Sequence, residues 1–155
     1  NPTMLNTTER VIALRATEVF GASPPTVLLD VAEAMEERSL VAGQTLFVAG
    51  EAGDEVFVVV EGEVSIIAGG TEVNRIHRGE AFGELALLTP TARTASAVAC
   101  TDVALLSLDA TTFEIVIADR PEVASSVMRY LAERLRRVTV AQQATRDEPD
   151  RPERG

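Results

Sequence analysis

Glu84 and Arg93 are the pair of side chains whose types and spacing could do chemistry together, and both fall in "FGELALLTPTARTA", Phe82 to Ala95. Gly83, ahead of the acid, lets the backbone approach a ligand closely. The residues from Glu84 to Leu88 read as one helical turn whose first N–H groups lack intrahelical acceptors and so suit an anion. Arg93 follows a turn at Pro90 that folds the chain back, so its forked guanidinium can reach a phosphate held on those N–H groups. A carboxylate beside a phosphate would be repelled by it. The role open to Glu84 is therefore to accept hydrogen bonds from hydroxyls next to the phosphate, as acids do for ribose in other nucleotide sites. Taken singly, a glutamate and an arginine are more often a solvated acid and a surface ion pair. Together in one short segment they spell recognition of phosphate plus sugar.

The rest of the chain offers little reactive chemistry. His77 in "NRIHRG" reads as an exposed side chain at a strand end, with nothing near it in sequence to complete a metal site, and no metal is expected. Cys100 cannot form an intramolecular bridge as the single cysteine, and in the apolar run around it reads as a small core hydrophobe in a reducing, cytoplasmic setting. With 14 basic against 24 acidic residues the net charge is -10, which denies the chain the broad positive field that direct nucleic-acid binding needs. No run approaches the roughly 18 apolar residues of a membrane span, so no membrane contact is expected of this piece.

The segment needs a frame to hold it. At 155 residues and 46% hydrophobic the chain can build one core. "TTERVIALRATEVF" (Thr7 to Phe20) spaces Val11, Ile12, Leu14 and Val19 roughly on one helical face, with Thr7 or Thr8 as N-cap. "GASPP" breaks that helix, and "TVLLDVAEAMEERSL" predicts a second one burying Leu28, Val31, Ala32 and Met35. From Leu40 to Leu108 short β-branched runs alternate with glycine turns at Gly53, Gly62, Gly69, Gly70 and Gly79, which implies an antiparallel sandwich or barrel. Helical spacing returns after Asp109. "ATTFEIVIADRP" ends at Pro121, and a long helix follows with Val123, Val127, Leu131, Leu135 and Val138 on one stripe. The expected organisation is a leading helix and linker over 1–24, a domain over 25–145 with strands about 38–109 and helices about 110–145, and a disordered polar tail over 146–155.

On these residues the chain resembles the cyclic nucleotide-binding domain family, which includes regulatory subunits of cAMP-dependent kinase, cyclic-nucleotide-gated channels and the catabolite activator protein. "FGELALLTPTARTA" is similar to the family's phosphate-binding cassette. "VAGEAGDEVFVVVEGEV" (Val48 to Val64) is similar to its glycine-punctuated hairpin, and "LVAGQTLF" to the strand before it. The resemblance covers about Val27 to Val140. It implies a mainly β fold with flanking helices: an antiparallel double-stranded β-helix (jelly-roll) barrel with N-terminal helices, a one-turn cassette helix and a long C-terminal lid helix. It further implies that cAMP or cGMP is the ligand. Glu84 would bind the ribose 2′-hydroxyl, Arg93 the cyclic phosphate, and backbone groups of Gly83, Leu85 and Ala86 would complete the cradle. Thr94 would supply a hydroxyl to the phosphate and to the exocyclic amine of a syn guanine, which suits cGMP without excluding cAMP. Val73 and Ile76 would lie beneath the base. A residue of the last helix covers the base in relatives, and Arg134, then Tyr130 one turn earlier, are the candidates.

The resemblance implies a regulatory module that passes the binding event to an effector in a longer protein, such as a transporter or channel. A homodimer is compatible with it. An enzyme with a cupin-like double sheet would need a metal-ligand set that one histidine does not supply. The sensor part of a catabolite-activator-like regulator is an alternative, although the chain runs into "ATRDEPDRPERG" instead of a helix-turn-helix. A degenerate fold serving assembly alone fits poorly with Glu84 and Arg93 both present.

Overall fold

The computed structural model describes residues 5–89 and 91–146. Helix α1 (Thr7–Arg15) is capped one residue before Thr7, the earlier of the two expected caps. Asn6 is the N-cap, and its side chain and that of Glu9 exchange hydrogen bonds with each other's backbone N–H in a capping box. The single leading helix expected through Phe20 is instead divided. Thr17 turns extended, donates its hydroxyl to the Leu14 carbonyl at 2.6 Å and accepts from the Phe20 N–H, so it ends one helix and caps the next, α2 (Glu18–Gly21). Leu14, Val19 and Phe20 are buried, whereas Ile12 points to solvent.

Helix α3 (Pro25–Ala34) opens with proline at its first position and buries Leu28, Val31 and Ala32 as the periodicity predicts. The expected continuation to Leu40 does not form. Met35 is extended, and β1 (Glu36–Leu40) pairs with β10 (Val103–Asp109), because strand pairing at Leu40 and Val103 outweighs the helix propensity of "EERSL".

Between them run β2 (Thr45–Phe47), β3 (Ala52–Gly53), β4 (Glu55–Glu61), β5 (Val64–Ala68), β6 (Thr71–Ile76), β7 (Ala81–Phe82), helix α4 (Leu85–Leu88), β8 (Thr91–Ala92) and β9 (Ser96–Ala99). All pairings are antiparallel. One four-stranded sheet has the order β1-β10-β4-β7, a second β2-β9-β5-β6, and β3 pairs with β8 at one end. The fold is thus mainly β with flanking helices, in two facing sheets.

The continuous apolar run "VFVVV" follows from burial of the first sheet on both faces. Phe57 and Val59 of β4 and Leu105 of β10 join Val64, Ile76, Phe82 and Ala97 between the sheets. Val56, Val58, Leu106 and Leu108 face the other way, into a core shared with α1, α2, α3, α5 (Ala110–Asp119) and α6 (Pro121–Arg146). The stripe on α6 packs over only its first half. Val123 and Val127 are fully buried and Leu131 partly so, but Leu135 is 67% exposed and Val138 is exposed too, because the helix runs past the edge of the layer it covers. No helix among the described residues is long and apolar enough to cross a membrane. The expected tail, apart from Arg146 at the end of α6, and the turn at Pro90 lie outside the described residues.

Candidate functional site

Arg93 follows β8, which pairs with β3 and so carries the arginine across to the start of α4. Its backbone N–H donates to the Glu51 carbonyl at 2.7 Å, and its carbonyl accepts from the Gly50 N–H at 2.8 Å. The guanidinium then lies over the Phe47 ring at 4.3 Å from the centroid, and Nη2 donates to the Glu55 carbonyl at 3.0 Å. Among the described residues no carboxylate forms an ion pair with it. Burial pulls its pKa below the ordinary arginine value, while the more distant carboxylates of Glu55, Asp54 and Glu51 pull it up. An arginine stays protonated through such a shift, so a partly desolvated cation is left without a counter-ion.

Two glycines make room for it. Gly53 is a strand residue of β3, not a turn residue as its sequence neighbours suggest. A Cβ there would come within 2.2 Å of Arg93 Nε. Gly83 has φ +81°, and a Cβ there would meet the Glu55 carbonyl at 2.8 Å and Arg93 Nη1 at 2.9 Å. The chain then enters α4, where Ala86 donates its N–H to the Gly83 carbonyl at 3.1 Å and closes the turn.

Glu84, the N-cap residue of α4, is only 6% exposed. Its Oε1 accepts from the Tyr130 hydroxyl at 3.3 Å and from Arg134 Nη1, both side chains reaching in from α6. Arg134 also donates to the Tyr130 hydroxyl at 3.3 Å. Burial and the Glu84 carboxylate raise the Tyr130 pKa, so the phenol stays a donor. Burial opposes the charge of Arg134, but Glu84 and Tyr130 outweigh it and lift its pKa. The acid and the two lid candidates, 46 and 50 positions apart, therefore meet.

These side chains line one cavity of about 860 Å³ between the second sheet, α4 and α6. Gly83, Glu84, Leu85, Ala86, Arg93, Thr94, Ile76, Tyr130 and Arg134 all border it. Val73 does not. The register pairs Ile66 with Asn74 and Val64 with Ile76, which puts 74 and 76 on the cavity face, Ile76 buried and Asn74 exposed at its open side, and leaves Val73 60% exposed on the outer face. Sequence reading missed Phe47, Ile66 and Asn74 on the wall. Alternation along "TEVNRI" was the available signal for Asn74, but it needs the register to say which parity faces in. His77 is exposed as expected, with Nδ1 2.8 Å from the Glu63 carboxylate. Cys100 is only half buried, one residue past β9.

Comparison with known proteins adds to this geometry. The model of the cyclic nucleotide-binding domain matches residues 37–120. Over 124 residues the chain is 32% identical to a CRP-like cAMP-activated global transcriptional regulator of Mycobacterium tuberculosis, covering 77% of this chain and 55% of that protein. It is 34% identical over 119 residues to a cyclic nucleotide-gated potassium channel of Rhizobium etli, covering 77% of this chain and 33% of the channel. The solved N-terminal domain of a transcriptional regulator from Streptomyces coelicolor A3(2) superposes with a TM-score of 0.78 at 33% identity, covering 84% of this chain and 94% of that one. The chain thus spans about half of one curated relative and a third of the other.

Proposed function

The chain belongs to the cyclic nucleotide-binding domain family, and from that premise we propose that its cavity takes cAMP or cGMP and reports the binding through α6 to an effector in a longer protein. The observation that carries this reading is Arg93, a partly buried guanidinium without an ion-pair partner among the described residues, set beside the glycine-opened start of α4. A cyclic phosphate is the monoanion that fits between them. Glu84 then accepts from the ribose 2′-hydroxyl, and backbone groups of Gly83 and Leu85 complete the phosphate cradle, while the Ala86 N–H, expected to join them, is held by the Gly83 carbonyl at 3.1 Å. Ile76 and its neighbours on the second sheet support the base, and Thr94, which borders the same cavity, offers its hydroxyl to phosphate and base.

Binding reaches α6 through Glu84. Its Oε1 already holds Arg134 and Tyr130, so a ribose hydroxyl must share or displace these bonds. Arg134 released from the carboxylate can lie over the base as a lid, and a ligand shifts the helix by its differential affinity for the two positions. The cavity has the layout of a binding site. The effector is a channel, a transporter or another output domain. The two regulators among the relatives also favour a DNA-binding segment elsewhere in the full protein as that output.

Calorimetry with each nucleotide at moderate salt is the direct test. Saturable heat and a thermal shift with at least one of them is the expected result, since mass action stabilises whatever binds the folded state. No heat and no shift with either at millimolar concentration would defeat the reading.

A further inference from the structure

We propose that Asn74 selects the purine and favours guanine over adenine, an inference that rests on the cyclic nucleotide reading above. Across the inner face of the second sheet the register aligns Ala97, Ile66 and Asn74, and in the next row Ala99, Val64 and Ile76. Directly paired residues project to the same face of a sheet. Asn74, exposed at the open side of the cavity, is thus the one polar side chain among these six positions, of which Ala97, Ala99, Val64 and Ile76 are buried and Ile66 partly so.

Its geometry gives the amide a direction. Oδ1 accepts from the Arg75 N–H at 2.8 Å, which assigns the oxygen to the backbone side and leaves the Nδ2 hydrogens as the donors without a partner among the described residues. The residue borders the cavity beside Ile66 and Ile76. In the proposed pose, with the phosphate on Arg93 and the ribose on Glu84, this wall at β6 is the surface of the cavity left for the base.

A donor at the far edge of the base discriminates by hydrogen-bond sign. Guanine presents O6 and N7 as acceptors, whereas adenine presents N7 and a donating N6 amine. The Nδ2 group of Asn74 complements O6 and opposes the N6 amine. Thr94 borders the same cavity and has a hydroxyl for the 2-amine of guanine, so two polar groups serve two different atoms of one base.

The test titrates the full chain and its variants with cGMP, cAMP and cyclic IMP, which keeps O6 but lacks the 2-amine. Wild type is expected to prefer cGMP over cAMP. Asn74→Leu should lower that preference by about three- to tenfold, the worth of one neutral hydrogen bond, and weaken cyclic IMP to the same extent. Thr94→Val, which removes a phosphate contact from every nucleotide but the 2-amine contact from cGMP alone, should weaken cGMP more than cyclic IMP. Asn74→Asp, which puts a charged acceptor in place of the donor, should turn the preference toward cAMP, and it keeps the test alive if leucine perturbs the edge strand. A wild-type preference for cAMP, or a cGMP-to-cAMP ratio that neither Asn74 variant changes while both nucleotides bind, overturns the assignment. Failure of all three nucleotides to bind wild type is a different outcome and overturns the cyclic nucleotide reading itself.

Discussion

Arg93 owes its position to residues that are remote from it in sequence: the Phe47 ring beneath it, the Glu55 carbonyl at its tip and the bare Cα of Gly53 along its stem. Removing its charge with Arg93→Ala leaves a bound phosphate in the cavity without a cation. Deleting one partner of a buried charge-assisted pair costs about 2 to 5 kcal/mol, so nucleotide affinity should fall at least tenfold in calorimetry. Gly53→Ala should reproduce much of that loss while keeping the arginine, because a methyl group 2.2 Å from Nε forces the guanidinium off Phe47. Unchanged affinity in both variants would make Arg93 a surface cation and no more. Glu84 and Arg93 were legible in the sequence because one short segment holds both, and the cassette pattern gives their spacing. The supports were not, since nothing local in "AGDE" says that Gly53 is small to admit an arginine forty residues later. Gly53 therefore read as a turn glycine.

At the scale of elements, sequence periodicity told which face of α3 is buried and how α6 begins, but not where packing stops. Leu135 and Val138 continue the apolar stripe of Val123 and Val127 with regular spacing, and only the extent of the layer beneath decides that they stay exposed. The split at Thr17 was hidden for a related reason: the hydroxyl competes for backbone bonds that the helical pattern does not display. Beyond its packed half, α6 carries Tyr130 and Arg134 to Glu84, and two magnitudes decide what the arginine does there. Arg134 is about half exposed although Glu84 is buried, so water screens the Arg134 side of the pair and, with a ribose hydroxyl taking its place at the carboxylate, giving up the contact costs about 1 kcal/mol. A guanidinium stacked on a base in a partly dry cavity is worth about 2 kcal/mol. Exchange of the first contact for the second favours the bound state. Arg134→Ala should then lower nucleotide affinity about fivefold while shifting thermal stability little, as measured by titration and melting. A gain in affinity would mean that Arg134 only occupies the carboxylate that the ribose needs.

For the molecule as a whole, the first sheet lies between the cavity side and the helical core, because its strands are packed on both faces. Phe57 and Phe82 stack at 5.2 Å on the cavity side, beside Phe47 and Arg93, while Val56 and Val58 of the same strand press on the core that holds Val123 and Val127. On the proposed reading, a ligand that fixes Arg93 and Glu84 has two contact routes to α6, through the sheet and through the Glu84 contacts. At a nucleotide concentration of 100 times Kd, mass action adds about 2.7 kcal/mol to the folded state. For a chain of this size that corresponds to a rise of about 5 to 10 °C in melting temperature. Where the added stability resides is what separates a sensor from a passive binder. If α6 is drawn onto the base, hydrogen exchange should slow both around Glu84 and along α6 from Glu122 to Val140, with the larger effect in the exposed turns that follow Tyr130, since the first turns are already held by Val123 and Val127. Protection that rises at Glu84 and stays unchanged throughout α6 would leave the nucleotide bound but the lid unmoved, and the signal would have to leave the domain through another element.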